Sequence, residues 1–218
     1  MRLEWSAQLL DMPHGFSGGW AYHDFTNLPG SEQIASEFAC VGLTAWLRRC
    51  CPQHLYEAGG GIGTLSAVVL ATSSLPGLRY QMEERDTWCR AAWADNIGPV
   101  VGGSVIVMPS WVAPATPFDF VILDGPSGPY WDYLARHSTV FVEGNRRSQR
   151  AALESALRGC RRVCRAHWKP SDRSKGHWIY QLDPTPAERL WFVCVRARES
   201  LRDLYGRVTG RALGKKRQ

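Results

Sequence analysis

Long apolar runs are missing from this 218-residue chain: none approaches the ~18–20 residues that a membrane-spanning helix requires. Membrane insertion is therefore not expected. Low-complexity tracts are missing too, and a composition of 44% hydrophobic and 21% charged residues belongs to a globular α/β-sized protein. The first residues, MRLEWSAQLLDMPHG, carry acids and no apolar core of the kind a secretory leader needs, so no leader is expected. A zinc-finger framework is also missing. Cys160 and Cys164 are separated by three residues, but no second Cys/His pair stands at matching spacing. The seven cysteines are an odd number, and Cys40, Cys89 and Cys194 fall within apolar periodic stretches. They read as reduced thiols of a cytoplasmic protein.

Two nucleotide signatures fail as well. A dinucleotide fold needs G-x-G-x-x-G, but counting from Gly59 the last position is Thr64, and from Gly61 it is Ser66. A phosphate-cradling loop needs Gly-Lys-Ser/Thr, and the glycine-rich turn here contains no lysine. What the turn does contain, within HLYEAGGGIGTLS from His54 to Ser66, is an acid followed by spaced glycines: Glu57, Gly59, Gly61 and Gly63. Such a stretch predicts a strand, a turn whose backbone comes close to a ligand, and a helix aiming its unpaired N–H groups at that ligand.

The rest of the chain alternates strands and helices. A helix is predicted over 31–50 with Ser31 as N-cap and a stripe of Ile34, Phe38, Val41, Leu43, Trp46 and Leu47, stopped by Pro52. Strands are predicted at Leu78–Met82, Ser104–Met108, Phe118–Leu123 and Thr139–Val142. Between them lie a helix over 86–96, with Trp88, Ala91, Ala92 and Trp93 facing inward, and a short helical stretch through Tyr130 to Leu134. A second helix over 146–159 follows, then strand candidates at Val163–Trp168, Trp178–Leu182 and Leu190–Val195, the first two antiparallel, and a closing helix over 198–210. Residues 1–30 are too apolar for a disordered tail and too broken for a regular element, and are expected to wrap the core or line a pocket. The expected architecture is a Rossmann-like, doubly wound α/β fold: a mostly parallel sheet with an antiparallel edge and helices on both faces. One domain spans 1–218, with a cap and helix over 1–50, the core sheet over 51–196, and a C-terminal helix and basic tail over 197–218. Glu57, Glu83/Glu84, Asp124 and Glu143 all close strands, and in open sheets of this kind the ligand lies beyond those carboxyl ends.

Glu57, Gly59, Gly61 and Gly63 together resemble the first motif of class I S-adenosylmethionine (SAM)-dependent methyltransferases, and the resemblance extends over roughly residues 31–195. It implies SAM as cofactor, with the glycine turn beneath its methionine and ribose portions. Glu84, 21 positions after Gly63, matches the ribose-gripping acid, near the ~20-residue separation of such folds, with Glu83 as the alternative. Asp124 matches the acid bordering the transfer site. FDFVILDGPSGPYWDYLA is similar to the corresponding region of small O-methyltransferases of the catechol and caffeoyl-CoA type. Those enzymes hold a divalent cation with that Asp and an Asp-Asn pair; here the place reads Glu143-Gly144-Asn145, so a metal is not the favoured expectation.

For the chemistry, Asp124 and His23 are the candidate catalytic residues, with His137 a weaker one, and Trp20, Tyr22, Tyr130 and Trp131 line either an acceptor pocket or the core. A small-molecule oxygen is the expected acceptor. The net charge of +6 gathers in Arg146–Lys175 and in the tail, which leaves a nucleic-acid substrate open as the second reading. An aminopropyltransferase, whose GGG turn and Asp124–Pro129-like loop are similar, ranks third. A non-catalytic cofactor-binding subunit and a homodimer are also compatible with the residues.

Overall fold

The computed structural model describes residues 18–72, 77–101, 105–125, 128–144, 146–159, 161–168, 176–198 and 200. Third from one edge of the seven-stranded sheet lies β1 (His54–Ala58), whose five residues are all buried. Leu55 points into one core and Tyr56 into the other, as alternation along a strand covered on both faces requires. Beside it run β2 (Arg79–Glu83) and β4 (Phe118–Leu123), then β3 (Val105–Met108) and β5 (Leu134–Glu143), all parallel. The antiparallel edge is β7 (His177–Leu182) on β5 and β6 (Val163–Trp168) on β7. The order is β3-β2-β1-β4-β5-β7-β6. The chain thus builds outward from β1 to β3, then returns to the other side of β1, and the crevice between β1 and β4 is the switch point where ligands of such sheets bind.

One face is covered by α1 (Gly19–Phe25), α2 (Glu37–Cys50), α3 (Thr64–Ala71) and α4 (Thr87–Val101), and by α6, a helix over 186–198. The other is covered by α5 (Arg147–Leu157) and the 3₁₀ turn Pro129–Tyr133, whose Leu153, Leu157 and Tyr130 are buried on Tyr56 and Val140.

Several sequence expectations are corrected. The helix ending at Cys50 starts six residues later than its expected onset at Ser31: its N-cap is Ser36, whose Oγ accepts from Ala39 N at 3.3 Å. Ser31–Gln33 is instead a separate 3₁₀ turn, broken off at Ile34. The segment read as irregular contains α1. Trp88 is 51% exposed and leans over Gly30, and Ala91 is exposed, so of that stripe Trp93 is the buried residue and Ala92 the half-buried one.

The expected strand at Leu190–Val195 is part of α6. A capping box starts it, with Glu188 N donating to Thr185 Oγ1 at 3.2 Å and Thr185 N to Glu188 Oε2 at 2.7 Å. Its apolar residues serve helical sides: Phe192 is buried while Leu190 and Val193 are exposed. The first 17 residues, the tail and all of the expected helix over 198–210 except positions 198 and 200, which are helical, lie outside the described residues.

Candidate functional site

At the carboxyl ends of β1, β2 and β4 lies a cavity of about 250 Å³. Its floor is the glycine turn. Gly59 takes φ +84°, and a Cβ there would stand 2.5 Å from Gly125 Cα, so the β1 and β4 turns meet backbone to backbone. Gly61 takes φ +52° with nothing within 4 Å of where its Cβ would lie, leaving its backbone open to the cavity. Gly63 sits behind the turn as the N-cap of α3, against Ile97, and does not line the cavity.

Glu57 is buried at the cavity's inner wall, and Oε2 accepts from Ser66 Oγ at 2.7 Å and from the Tyr80 hydroxyl. Ser66 Oγ in turn accepts from Trp93 Nε1 at 2.8 Å, which fixes the network. Burial pushes the Glu57 carboxyl up to about 7; the Tyr80 and Ser66 bonds oppose this, and the Glu84 charge adds to it. Its other oxygen, Oε1, is buried without a hydrogen-bond partner among the described residues, and so is Thr64 Oγ1. Both residues line the cavity. An orphaned carboxylate oxygen in a buried wall suits a cationic or hydrogen-bond-donating ligand.

Glu84 lines the opposite side. Its Oε2 accepts from Gly61 N at 2.8 Å and its Oε1 from Asp86 N at 2.8 Å, so the acid beyond β2 is fastened to the β1 turn. Glu83 does not reach the cavity: it is buried on the other face, where it accepts from the Tyr56 hydroxyl and from Arg85 Nε at 2.7 Å.

Asp124, just beyond β4, lines the cavity beside Arg146, whose guanidinium donates to Asp124 Oδ1 and stands 3.8 Å from Glu143 Oε2. Burial raises the Asp124 carboxyl well above the usual carboxylate range; the Glu143 charge raises it further and Arg146 pulls it back. Arg146 is the one cation lining the cavity among the described residues. Sequence reasoning counted it with the basic surface, and its position just after the β5 acid was the signal that could have placed it. Gln33, Ile34 and Ala35, in the break between the 3₁₀ turn and α2, close the remaining wall and were also missed.

The structure brings together Glu57, Gly59, Gly61, Glu84 and Asp124. His23 is elsewhere: on α1, 67% exposed, 3.2 Å from Glu37 Oε1 and outside the cavity lining. His137 is exposed at positive φ, and Tyr130 is core, packed on Tyr56 and Trp111. Trp131, Tyr22 and the 40%-exposed Trp20 do not line the cavity either. Among the described residues no cluster of three His, Cys, Asp or Glu side chains could hold a metal, and between Asp124 and Glu143 lies the Arg146 guanidinium. No described helix is long and apolar enough to cross a membrane.

No protein-family model matches the chain, and no curated protein matches it. Solved structures are similar in fold. An O-methyltransferase from Bacillus cereus in complex with SAH is 10% identical at a TM-score of 0.60, covering 82% of this chain and 96% of that one. An O-methyltransferase from Streptomyces achromogenes involved in tomaymycin synthesis, in complex with SAM, is 15% identical at 0.56, covering 84% and 95%. The SAH-bound methyltransferase PaMTH1 from Podospora anserina is 12% identical at 0.56, covering 84% and 97%. At such identities the likeness is one of fold. The chain has the Rossmann-like fold of class I SAM-dependent methyltransferases, shared with small O-methyltransferases.

Proposed function

We propose that the protein is a SAM-dependent methyltransferase that acts on an oxygen, hydroxyl or carboxylate, of a small molecule. The observation that carries this reading is the orphaned Glu57 Oε1 in a cavity floored by the glycine turn and walled by Glu84 and Asp124. When bound, the cofactor supplies an electrophilic methyl group on a cationic sulfonium. Glu84, already anchored by two backbone N–H groups, has lone pairs left to accept from ribose hydroxyls. Glu57 Oε1 and Thr64 Oγ1 would accept from the ammonium end, and the Gly59–Gly61 backbone lets the ligand lie close.

Asp124 stands at the edge of this cradle as the proton acceptor for a hydroxyl substrate. A carboxyl raised above its usual range is a stronger base than an exposed one. Arg146 holds its charge and, as the cation in the cavity wall, aligns the acceptor oxygen. A carboxylate acceptor arrives without a proton and needs only the alignment. Calorimetry with SAM and SAH, followed by a methyl-transfer screen across acceptor classes with and without chelator, tests the proposal. Micromolar binding with turnover on an oxygen acceptor is expected; no binding of either cofactor form overturns it.

A further inference from the structure

A second cleft, about 450 Å³, lies at the other end of the sheet. It wraps the free edge of β6, between the end of α5 and one side of α6. Five arginines line it against one acid, Glu154. Two of the five are engaged. Arg165 pairs with Glu154, which also accepts from the Tyr180 hydroxyl at 2.8 Å. Arg161 donates to Ala135 O at 2.7 Å and stands 3.8 Å from Asp183 Oδ2. The guanidinium groups of Arg158, Arg189 and Arg196 have no hydrogen-bond or ion-pair partner among the described residues. Among the described residues the remaining nearby acid, Glu188, is committed to the α6 capping box.

The cleft is not merely a charged surface. Arg189, Phe192, Val193 and Arg196 fall at i, i+3, i+4 and i+7 of α6; Phe192 turns into the core, and the two arginines flank the exposed Val193. Val193 is 61% exposed and Val163 on β6 is 37% exposed, which leaves apolar surface uncovered between unpaired cations. Arginine is the side chain whose planar fork matches two phosphate oxygens at once. Bare apolar surface beside such a fork fits the flat face of a base.

We propose that this cleft binds a nucleotide unit, its phosphate held by Arg158, Arg189 and Arg196 and its base lying on the exposed side chains of Val193 and Val163. The unit could come from a free nucleotide or from a single-stranded RNA, since both present the same chemistry. The site is separate from the cofactor cavity. Arg146 precedes α5 at the cavity and Arg158 follows it at the cleft; the rise from one to the other along the helix, at ~1.5 Å per residue, sets them ~18 Å apart.

The test uses the full chain and three probes: inorganic pyrophosphate, AMP and a fluorescent ten-nucleotide oligouridylate, titrated at 50 and 200 mM salt. At least one nucleotide probe should bind, and the R189E/R196E double variant should weaken it tenfold or more with the thermal unfolding curve unchanged. If charge reversal unfolds the protein, R189Q/R196Q is used and the same loss is expected. Oligouridylate much tighter than AMP, with affinity dropping about tenfold or more across that salt step, identifies an RNA strand. Equal affinity per nucleotide identifies a free nucleotide. Absence of binding by AMP and oligouridylate overturns the proposal, as does binding that survives the arginine substitutions. SAM calorimetry on the same samples is independent, so a failed cleft and a failed cofactor site give different results.

Discussion

The carboxylate of Glu84 accepts a hydrogen bond from the backbone N–H of Gly61 at 2.8 Å, tying the acid beyond β2 to the turn after β1. Two elements that must act on one ligand are thereby held at fixed separation before any ligand arrives. Preorganisation of this kind lowers the ordering cost of binding. Replacing Glu84 by Ala removes both the acceptor and the clasp, and SAM affinity should fall at least tenfold. Glu84→Gln, which retains an acceptor oxygen, should lose less. Calorimetric titration compares them, and wild-type affinity in Glu84→Ala would remove this residue from the site.

Gly61→Val examines the turn itself. Valine at φ +52° is strained, by ~1–3 kcal/mol, and its side chain would occupy open cavity space. The variant should fold with a lower melting temperature and bind no SAM measurably. A circular-dichroism melt paired with calorimetry separates the two effects.

Glu57 makes SAM binding depend on pH. Its folded pKa, raised to about 7, means that the carboxyl is neutral below that value and anionic above it. A cationic ligand prefers the anion, so affinity should rise with pH up to about 7, by as much as ~tenfold per unit, and then level off. Glu57→Gln should bind weakly at every pH. A flat wild-type profile from pH 6 to 8 would contradict this assignment.

Asp124→Asn preserves shape and removes basicity. Turnover on a hydroxyl acceptor should fall by roughly 10²–10⁴-fold, the usual worth of a positioned base, with SAM affinity changed only a few-fold. On a carboxylate acceptor the loss should be much smaller, because no proton has to leave. Measuring kcat and cofactor Kd side by side on both acceptor types gives the answer; equal losses on both would assign Asp124 to binding instead.

His177 supplies a stability prediction. Buried and stacked on Phe141 and Trp168, with Nδ1 unpartnered among the described residues, it has a pKa pushed down to about 3 by burial, with His167 adding to the shift. The unfolded chain takes up the proton near 6.5 and the folded chain does not. Stability is therefore intact above pH 6.5 and declines below it, by up to ~1.4 kcal/mol per unit, until about pH 3. Glu57 acts oppositely: the folded protein binds its proton first, so it stabilises as pH falls from about 7 toward 4.5. Urea unfolding of wild type and His177→Phe at pH 7.5, 6.5 and 5.5 isolates the histidine. The variant should lack the wild type's acid-side loss, and parallel curves would refute the assignment.

Much of this was legible from residue order. The alternation of apolar runs, the spaced glycines and acids at strand ends locate β1, the turn and the cavity, because each rests on local backbone chemistry. Features that depend on which of two local signals prevails were not legible. Ser31 and Ser36 both precede acids, and only Ser36 finds an N–H three residues on. The run from Leu190 to Val195 is β-rich in composition, yet the Thr185–Glu188 capping box decides for helix. Arg146 looked like one of many surface arginines; its place in the cavity wall follows from where β5 ends, a tertiary fact.

The touching backbones of Gly59 and Gly125 have one more consequence. A Cβ on Gly125 would stand 2.6 Å from Gly59 Cα, just as one on Gly59 would collide with Gly125, so neither position can be relieved by shaving its neighbour. The floor of the cavity is a seam with no room for thread. Randomising both positions together and selecting for soluble protein should return glycine at each, while nearby Gly61, bordered by open space and limited by its φ of +52° alone, should tolerate change with some loss of stability and loss of the ligand.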